Sequence, residues 1–405
     1  MTATGNQREG DTASAQLLAQ LVSEIENERE FALQLRRELH QHPRLSGDEA
    51  DSRDRIARAT ELDFTPVAET GGYCRFGPAD GPAVAIRGEL DALPVSEQTG
   101  LSWAATNGAM HACGHDVHMA ALATFVRAAK RVTLPYAVVP LLQPREEAYP
   151  SGASDICDSG VLDTLNVAHV IGAHVHPRVL AGQVATGAGA VNAASGEIRI
   201  EVEGRTGHGA YPHDAADVAS ALAAIALGLP EVLRRTVNPL APALLSVGRM
   251  VADSGAANVL PGKGTLHAML RTTQNEDAAV IGDAVAEFAR HQAEAYGVSA
   301  ATTVVQGEPV LFNDAALCDA LESRLPEAEL AVAPAMRSLG ADDFSFYSQQ
   351  YPSTMSFVGV ATPETIEDGP SLHDATFLPD DDAVLRVAKT MACGYVAAVQ
   401  QIQKH

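Results

Sequence analysis

Residues 110–132 read MHACGHDVHMAALATFVRAAKRV. The stretch opens polar, with three histidines, a cysteine and an aspartate, and then turns apolar at helical spacing. Its helical part, "HMAALATFVRAAKRV" (118–132), lies between two runs without polar alternation, "PAVAIRGEL" (82–90) and "YAVVPLLQP" (136–144). A third such run, "VAHVIGAHV" (167–175), follows. Continuous apolar runs of this length mark strands covered on both faces. Their alternation with helical segments predicts an α/β catalytic domain with a mainly parallel sheet flanked by helices.

Upstream, residues 14–42 carry Leu17, Leu18, Leu21 and Ile25 at helical spacing, and Pro43 ends that segment. Residues 1–15 have neither an apolar core nor a basic lead, so they read as a disordered tail and not as a secretory signal. Near residue 187 the pattern changes. "GEIRIEVEG" (196–204) alternates apolar and polar, as a half-exposed strand does. A helix (217–235), the strands "ALLSVGRMV" (243–251) and "GTLHAMLRT" (264–272), a helix (276–296) and the strand "VSAATTVVQG" (298–307) complete a βαββαβ order. This predicts a smaller α+β domain at 187–307, inserted into a larger one made of 16–186 and 308–405.

The bulk numbers agree with two domains, since 405 residues exceed what one core usually holds. A net charge of −23 speaks against a nucleic-acid partner, which demands clustered Lys and Arg. No apolar run approaches the roughly 18 residues of a membrane helix. The five cysteines are odd in number and widely spaced, which argues against a disulfide framework and for a reducing cytoplasm.

Metal-binding residue types recur where the predicted strands end. Asp91 follows "AIRGEL", Cys113 and His115 precede the helix, Glu146 and Glu147 follow "VVPLLQP", and His174 ends "VIGAHV". His373, in "SLHDATF", would have to arrive from across the chain. Sites of open α/β sheets gather beyond the carboxyl ends of strands. Five N, O and S groups exceed the needs of one hydrolytic ion and suit two, about 3.5–4 Å apart. The adjacent Glu146 and Glu147 repel each other unless cations neutralise them. One could hold a metal while its neighbour moves a proton. Spacing leaves a second reading open, in which Cys113 is a nucleophile and His111 or His115 its base. His40 and His42 read as cations suited to a helix end. Asp116 reads as a carboxylate supporting a ligand from behind, while His111 and His118 receive no role in the metal reading.

Several motifs, in order, carry a resemblance. "HACGHDVHMAAL" resembles the signature "HACGHDxH" of the metal-dependent aminoacylase, hippurate hydrolase and auxin–amino-acid-conjugate hydrolase family. "RGELDALPVSEQTG" is similar to its "RADMDALPxxE", and "QPREEAYPSGASDICDSGVL" to its "QPAEExxxGAxxMxxxGxL". "GRTGHGAYPHDAADV", "ANVLPGKGTLHAMLRT" and "GADDFSFY" resemble later motifs, and "LRRELHQHPRLSGDE" its opening helix. The resemblance covers nearly the whole chain beyond the tail.

It implies two divalent ions, Mn or Zn foremost with Co or Ni compatible, on Cys113 as bridge, His115, Glu147, His174 and His373. Glu146 would be general base and acid, with Asp91 orienting a metal-binding imidazole. The inserted domain would be a lid and dimerisation domain giving a homodimer. On it, His208 would polarise the scissile carbonyl, in its own chain or reaching into a partner's. Asn258 and Arg271 would grip the α-carboxylate of a small N-acyl amino acid or amide conjugate. A dipeptidase or an aromatic amide hydrolase would use the same site; a non-catalytic relative would lack Glu146 or a ligand, and none is missing. Glu89 stands where the family has Asp, Ala148, Tyr149 and Pro150 follow the Glu pair in place of glycines, Arg44 replaces an acidic residue, and Asp342 replaces a Glu. These departures bear on substrate choice and remove no proposed ligand.

Overall fold

The uninterrupted apolar runs form the centre of a sheet. In the computed structural model, which describes residues 3–404, the strands Ala83–Glu89 and Ala137–Gln143 are buried at every position and pair in parallel. Ala83–Glu89 also pairs in parallel with Val167–Leu180, which pairs in parallel with Ser353–Ala361. Outside this centre the eight-stranded sheet is mixed. Thr65–Val67 and Gly71–Tyr73 extend one side in antiparallel fashion, and Gln183–Ala185 joins Ser353–Ala361 antiparallel on the other. Ala331–Val332 closes that side.

The chain divides into two compact units. The first runs through Val191 and includes Phe312–Met336 and the chain from Asp343 onward; the second is Asn192–Leu311 with Arg337–Asp342. The sequence-based boundaries, 187 and 307, thus lie four to five residues earlier, and Arg337–Asp342 falls in the second unit instead of the first. In the first unit the helix His115–Ala129 is buried at every position except Arg127. It packs against the largely buried helix Ala383–Ile402, with the rings of Phe125 and Tyr395 6.1 Å apart. Burying one such side chain contributes roughly 1.5–3 kcal/mol.

Three local expectations are corrected. The helix predicted from 118 begins at His115, because Gly114 supplies the left-handed turn (φ 84°) that starts it. A Cβ at Gly114 would lie 2.4 Å from Val175 Cγ2, so the position also needs the smallest residue. The single N-terminal helix is two, Ala3–Asn27 and Arg29–Gln41. Between them the buried Glu28 accepts from Arg127 Nε at 2.7 Å and pairs with Arg131. Residues 3–15, expected to be disordered, are helical here; Asp11 pairs with Arg324 and Ser14 is buried. Residues 1 and 2 of that tail lie outside the described residues.

The second unit is a four-stranded antiparallel sheet in the order Ala243–Val251, Lys263–Thr272, Ala194–Glu203, Ser299–Gln306. Alternate residues Ile198, Ile200, Val202 and Leu266, Ala268, Leu270 face two helices, Val218–Thr236 and Asp277–Ala295, forming one core with Leu222, Ile225, Ile281 and Val285. Among the described residues all five cysteines are free, and no helix is long and apolar enough to cross a membrane.

Candidate metal centre

Tertiary structure gathers the five proposed ligands. Cys113 and His115 flank Gly114 at the helix start. Glu146 and Glu147 follow the strand ending at Gln143, and His174 lies within Val167–Leu180 opposite Phe357. His373 arrives on a distant loop whose backbone N–H donates to Ala112 carbonyl at 2.9 Å, with φ +70°. Cys113 Sγ lies 3.5 Å from His174 Nε2. Ligand atoms of Cys113, His115 and Glu147 lie within 4.8 Å of one another. Glu147 Oε1 is 3.1 Å from His373 Nε2, and Glu146 Oε2 is 3.7 Å from His115 Nε2. The thiol is therefore close to His174 as well as to His115 and Glu147.

Hydrogen bonds set the orientation of the imidazoles. His115 Nδ1–H donates to the Asp91 carbonyl oxygen at 2.9 Å, with Asp91 Oδ1 at 3.4 Å. His174 Nδ1–H donates to Val175 carbonyl at 2.7 Å. Each ring thus keeps an Nε2 lone pair for the cluster, as histidine ligands require. Asp91 Oδ2 accepts from Glu147 N at 2.9 Å and from Ser46 Oγ at 2.7 Å, so Asp91 positions His115 through its backbone carbonyl and Glu147 through its carboxylate. Buried His115 Nε2 makes no hydrogen bond, and buried Glu147 Oε1 makes none beyond its 3.1 Å ion-pair contact with His373 Nε2. Such atoms each cost about 1–3 kcal/mol if left unpaired. A divalent cation would satisfy both, and this mixed N, O and S set fits one.

Charge separates the two readings of Cys113. Burial and the carboxylates of Glu147 and Glu146 push its thiol well above the ordinary value. A nucleophilic cysteine needs an electropositive setting that lowers the thiol. This site does the opposite until a cation enters and stabilises the thiolate. Burial, with His118 and His115 nearby, holds His174 well below the usual histidine range and so neutral. Burial also opposes protonation of His115, but Asp91 and Glu89 outweigh it and raise it to about 9. Metal binding there must displace a proton.

The sequence profile of peptidase family M20/M25/M40 matches residues 85–394. The chain belongs to this family. Among its relatives, the N-acetyl-L-cysteine deacetylase of Bacillus subtilis (strain 168) is 31% identical over 87% of this chain and 85% of that protein. The N-acetyldiaminopimelate deacetylase of the same organism is 28% identical over 90% of this chain and 98% of its own. A candidate aminohydrolase of methicillin resistant Staphylococcus aureus superposes with a TM-score of 0.85 at 28% identity, covering 93% of this chain and 98% of that one. The YXEP protein of Bacillus subtilis, described as a dinuclear metal binding peptidase of the M20 family, superposes with a TM-score of 0.79 at 26% identity over 93% and 99%. This M20 chain is a hydrolase acting on amide C–N bonds, built on an α/β fold with a mixed sheet flanked by helices.

The M20 site holds residues that sequence reasoning left without a role. His118 Nε2 accepts from Val175 N at 2.9 Å, and His118 Nδ1–H donates to Glu89 Oε2 at 3.0 Å. Both nitrogens are thereby occupied, so His118 supports the strand that carries His174 and is no ligand, although Glu89, His115, His118 and His174 cluster closely. Arg87 pairs with Glu89 and donates to Asp343 Oδ1 at 3.0 Å and to Gln143 Oε1 at 2.9 Å. The available signals were the three-residue spacing of His115 and His118 on one helix face and the departure at Glu89.

Asp116 does not support a ligand directly. It accepts from Arg36 Nε at 3.2 Å and from His40 Nδ1 at 3.0 Å. His40 lies in the last turn of the helix Arg29–Gln41, as expected, but is buried, its other nitrogen lying 3.0 Å from Glu97. Burial opposes its charge, but Asp116 and Glu97 outweigh it and raise it. His111 is also buried, neither nitrogen finds a partner, and burial drops it to about 4.

In the second unit His208 and Asn258 meet. His208 pairs with Val259 in a two-stranded ribbon, and Gly209 N donates to Asn258 carbonyl at 2.7 Å. His208 Nδ1 accepts from Ala210 N at 3.1 Å, which leaves its proton on Nε2. Arg271 is not with them. Strand Lys263–Thr272 leaves the ribbon at Lys263, and Arg271 lies opposite Ser195 near its other end. Eight residue steps of strand separate Lys263 from Arg271 by roughly 26 Å.

Proposed function

We propose that this M20 chain hydrolyses the amide bond of a small N-acyl amino acid, releasing a carboxylic acid and a free amino acid, with two divalent ions. Cys113, His115, Glu147, His174 and His373 would hold them, with Glu146 acting as proton carrier. The observation carrying this reading is the buried cluster of Cys113, His115 and Glu147, in which His115 Nε2 makes no hydrogen bond, with Glu146 Oε2 3.7 Å from it. The ions, when bound, would polarise the amide oxygen and lower the pKa of water to about 7.

The chain's own residues do the rest. Glu146 is followed at once by Glu147, so a carboxylate engaged with the cluster and one left to move protons are held on adjacent residues. Glu146 takes a proton from the attacking water and delivers it to the departing nitrogen as the C–N bond breaks. Asp91 acts through others: it keeps His115 in one tautomer and fixes the backbone of Glu147. His208, with its proton on Nε2, would donate to the developing oxyanion.

The first unit would be the catalytic domain and the second a lid. The wide separation of Arg271 from His208 and Asn258 exceeds the length of one small substrate. A homodimer in which the two ends of the lid serve different sites reconciles their assigned roles. The metals named by the donor chemistry are Mn or Zn, with Co or Ni compatible. Chelator-stripped protein supplied with each metal, and assayed on a panel of N-acyl amino acids, tests the reading. Full turnover by the stripped protein would overturn it.

A further inference from the structure

Three left-handed residues of the first unit meet at one side chain. Arg145, immediately before the Glu pair, has φ +48°, in the left-handed region that costs a non-glycine residue about 1 kcal/mol or more. Ala68 and Glu69, at φ +48° and +69°, are left-handed too. The Arg145 guanidinium meets both segments. Its Nη1 donates to Ala68 carbonyl at 3.0 Å and lies 3.4 Å from Glu69 Oε2. Its Nε donates to Pro150 carbonyl at 2.9 Å, across the turn that contains Glu146 and Glu147, and its Nη2 pairs with Asp155.

The backbone of Arg145 is held as firmly. Its N–H donates to Glu49 Oε1 at 2.9 Å, and Glu49 is fully buried and also accepts from Thr70 Oγ1. Its carbonyl accepts from Gly152 N at 3.2 Å, closing the turn a second time. At Gly152 a Cβ would lie 1.8 Å from Pro144 carbonyl oxygen, so the chain approaches itself there as closely as glycine allows. The guanidinium is nearly buried, its side chain 7% exposed, so its bonds form largely out of water.

We propose that Arg145 is a positioning residue for the Glu146–Glu147 pair. Two adjacent carboxylates must be delivered to one cluster against mutual repulsion, with one engaged there and the other left to carry protons. A turn strained at its first residue and cross-braced by a planar, multiply donating side chain holds them in that single arrangement. Lysine cannot substitute, because a point charge cannot serve the Pro150, Ala68 and Asp155 oxygens together. The motif that this segment resembles has alanine here, so the brace is a feature of this chain's own residues.

The inference rests on the proposed dinuclear function, and one experiment separates them. Zn2+ affinity is measured by competition with a chromogenic chelator, and kcat and KM are measured on the N-acyl amino acid that the parent enzyme turns over best, for the parent, Arg145→Ala and Arg145→Lys. Arg145→Ala is expected to weaken Zn2+ binding about 10–100-fold. It is expected to lower kcat by a similar factor, with KM changed less than about threefold because no substrate contact is lost. Arg145→Lys should recover only a minor part of both. If Arg145→Ala fails to fold, Arg145→Lys carries the test on the same two measurements. Parent-like zinc affinity and kcat in whichever variant folds overturns the inference and leaves the function standing. A parent protein that binds no zinc and hydrolyses no N-acyl amino acid overturns the function itself.

Discussion

His118 Nδ1 lies 3.0 Å from Glu89 Oε2 while its Nε2 accepts from the backbone N–H of Val175, next to His174. Burial raises the cost of charge on Glu89, but Arg87 and His118 outweigh it and hold its carboxyl well below the usual range. The pair fixes the register of the His174 strand against the helix that carries His115.

His118→Ala should therefore behave as a stability mutation. Removing the ring leaves one oxygen of the buried Glu89 carboxylate and the buried Val175 N–H without their partner, which costs about 2–4 kcal/mol. Denaturant midpoints should fall accordingly while metal content stays at the parent value. Loss of one ion per chain at unchanged stability would show instead that His118 is a ligand.

Glu146→Ala and Glu147→Ala should separate proton transfer from metal holding. Glu146→Ala is expected to lower kcat by about 100-fold or more with metal content intact. Glu147→Ala should lower metal content as well. The opposite pattern in elemental analysis would mean the two glutamates exchange roles.

Cys113 distinguishes the metal site from a thiol enzyme. With metal removed, its thiol is held protonated by burial and by the carboxylates beside it, so alkylation near pH 7 should be slow. Chelation should abolish turnover, and Mn or Zn should restore it. Rapid iodoacetamide labelling of metal-free protein that still turns over substrate would contradict this.

Gly114→Ala tests how tightly the helix start is built. The residue must adopt φ +84° and would place a Cβ 2.4 Å from Val175 Cγ2. A cost of about 1–3 kcal/mol is expected from strain and overpacking. Metal affinity should weaken with it, because Cys113 and His115 flank the position. A variant with parent melting temperature and metal affinity would show that the loop relaxes freely.

Glu28 gives a pH-dependent term. Burial works against its ionisation, yet Arg127 and Arg131 outweigh it and hold its carboxyl below the ordinary value of 4.5. Its folded value is lower than its unfolded one, so its contribution is present above pH 4.5 and is lost as pH falls through the folded value. Glu28→Gln should cost about 1–3 kcal/mol near pH 7. The variant should also lose less further stability than the parent between pH 5 and 3 in thermal melts. An equal acid slope in both proteins would rule out Glu28 as a contributor.

By itself the sequence determined the layers and the donor types. Apolar runs such as 82–90 and 136–144 show that both faces of a strand are covered, and the alternation in 196–204 shows that only one is. These are local properties, because side-chain period follows backbone geometry. Part of the cluster was legible for a similar reason: Asp91 and Glu147 follow strand ends and Cys113 and His115 open a helix, where such sheets place their sites, whereas His174 lies mid-strand in Val167–Leu180.

Partner choice was decided only by tertiary structure, because a hydrogen bond between residues far apart in the chain leaves no periodic trace. Nothing near His40 announces that Asp116 and Glu97 will hold it buried, and nothing in "MHACGHDVHMAA" says that His118 will spend both nitrogens on Glu89 and Val175. The same holds for Arg145, whose importance lies in the oxygens it reaches and in the left-handed backbone it carries. It also holds for Arg271, which the sequence places beside Asn258 in one motif and the sheet carries to the far end of a strand. Composition and period follow from each residue's neighbours in the chain. Charge pairing, strain and distance follow from where the fold puts them.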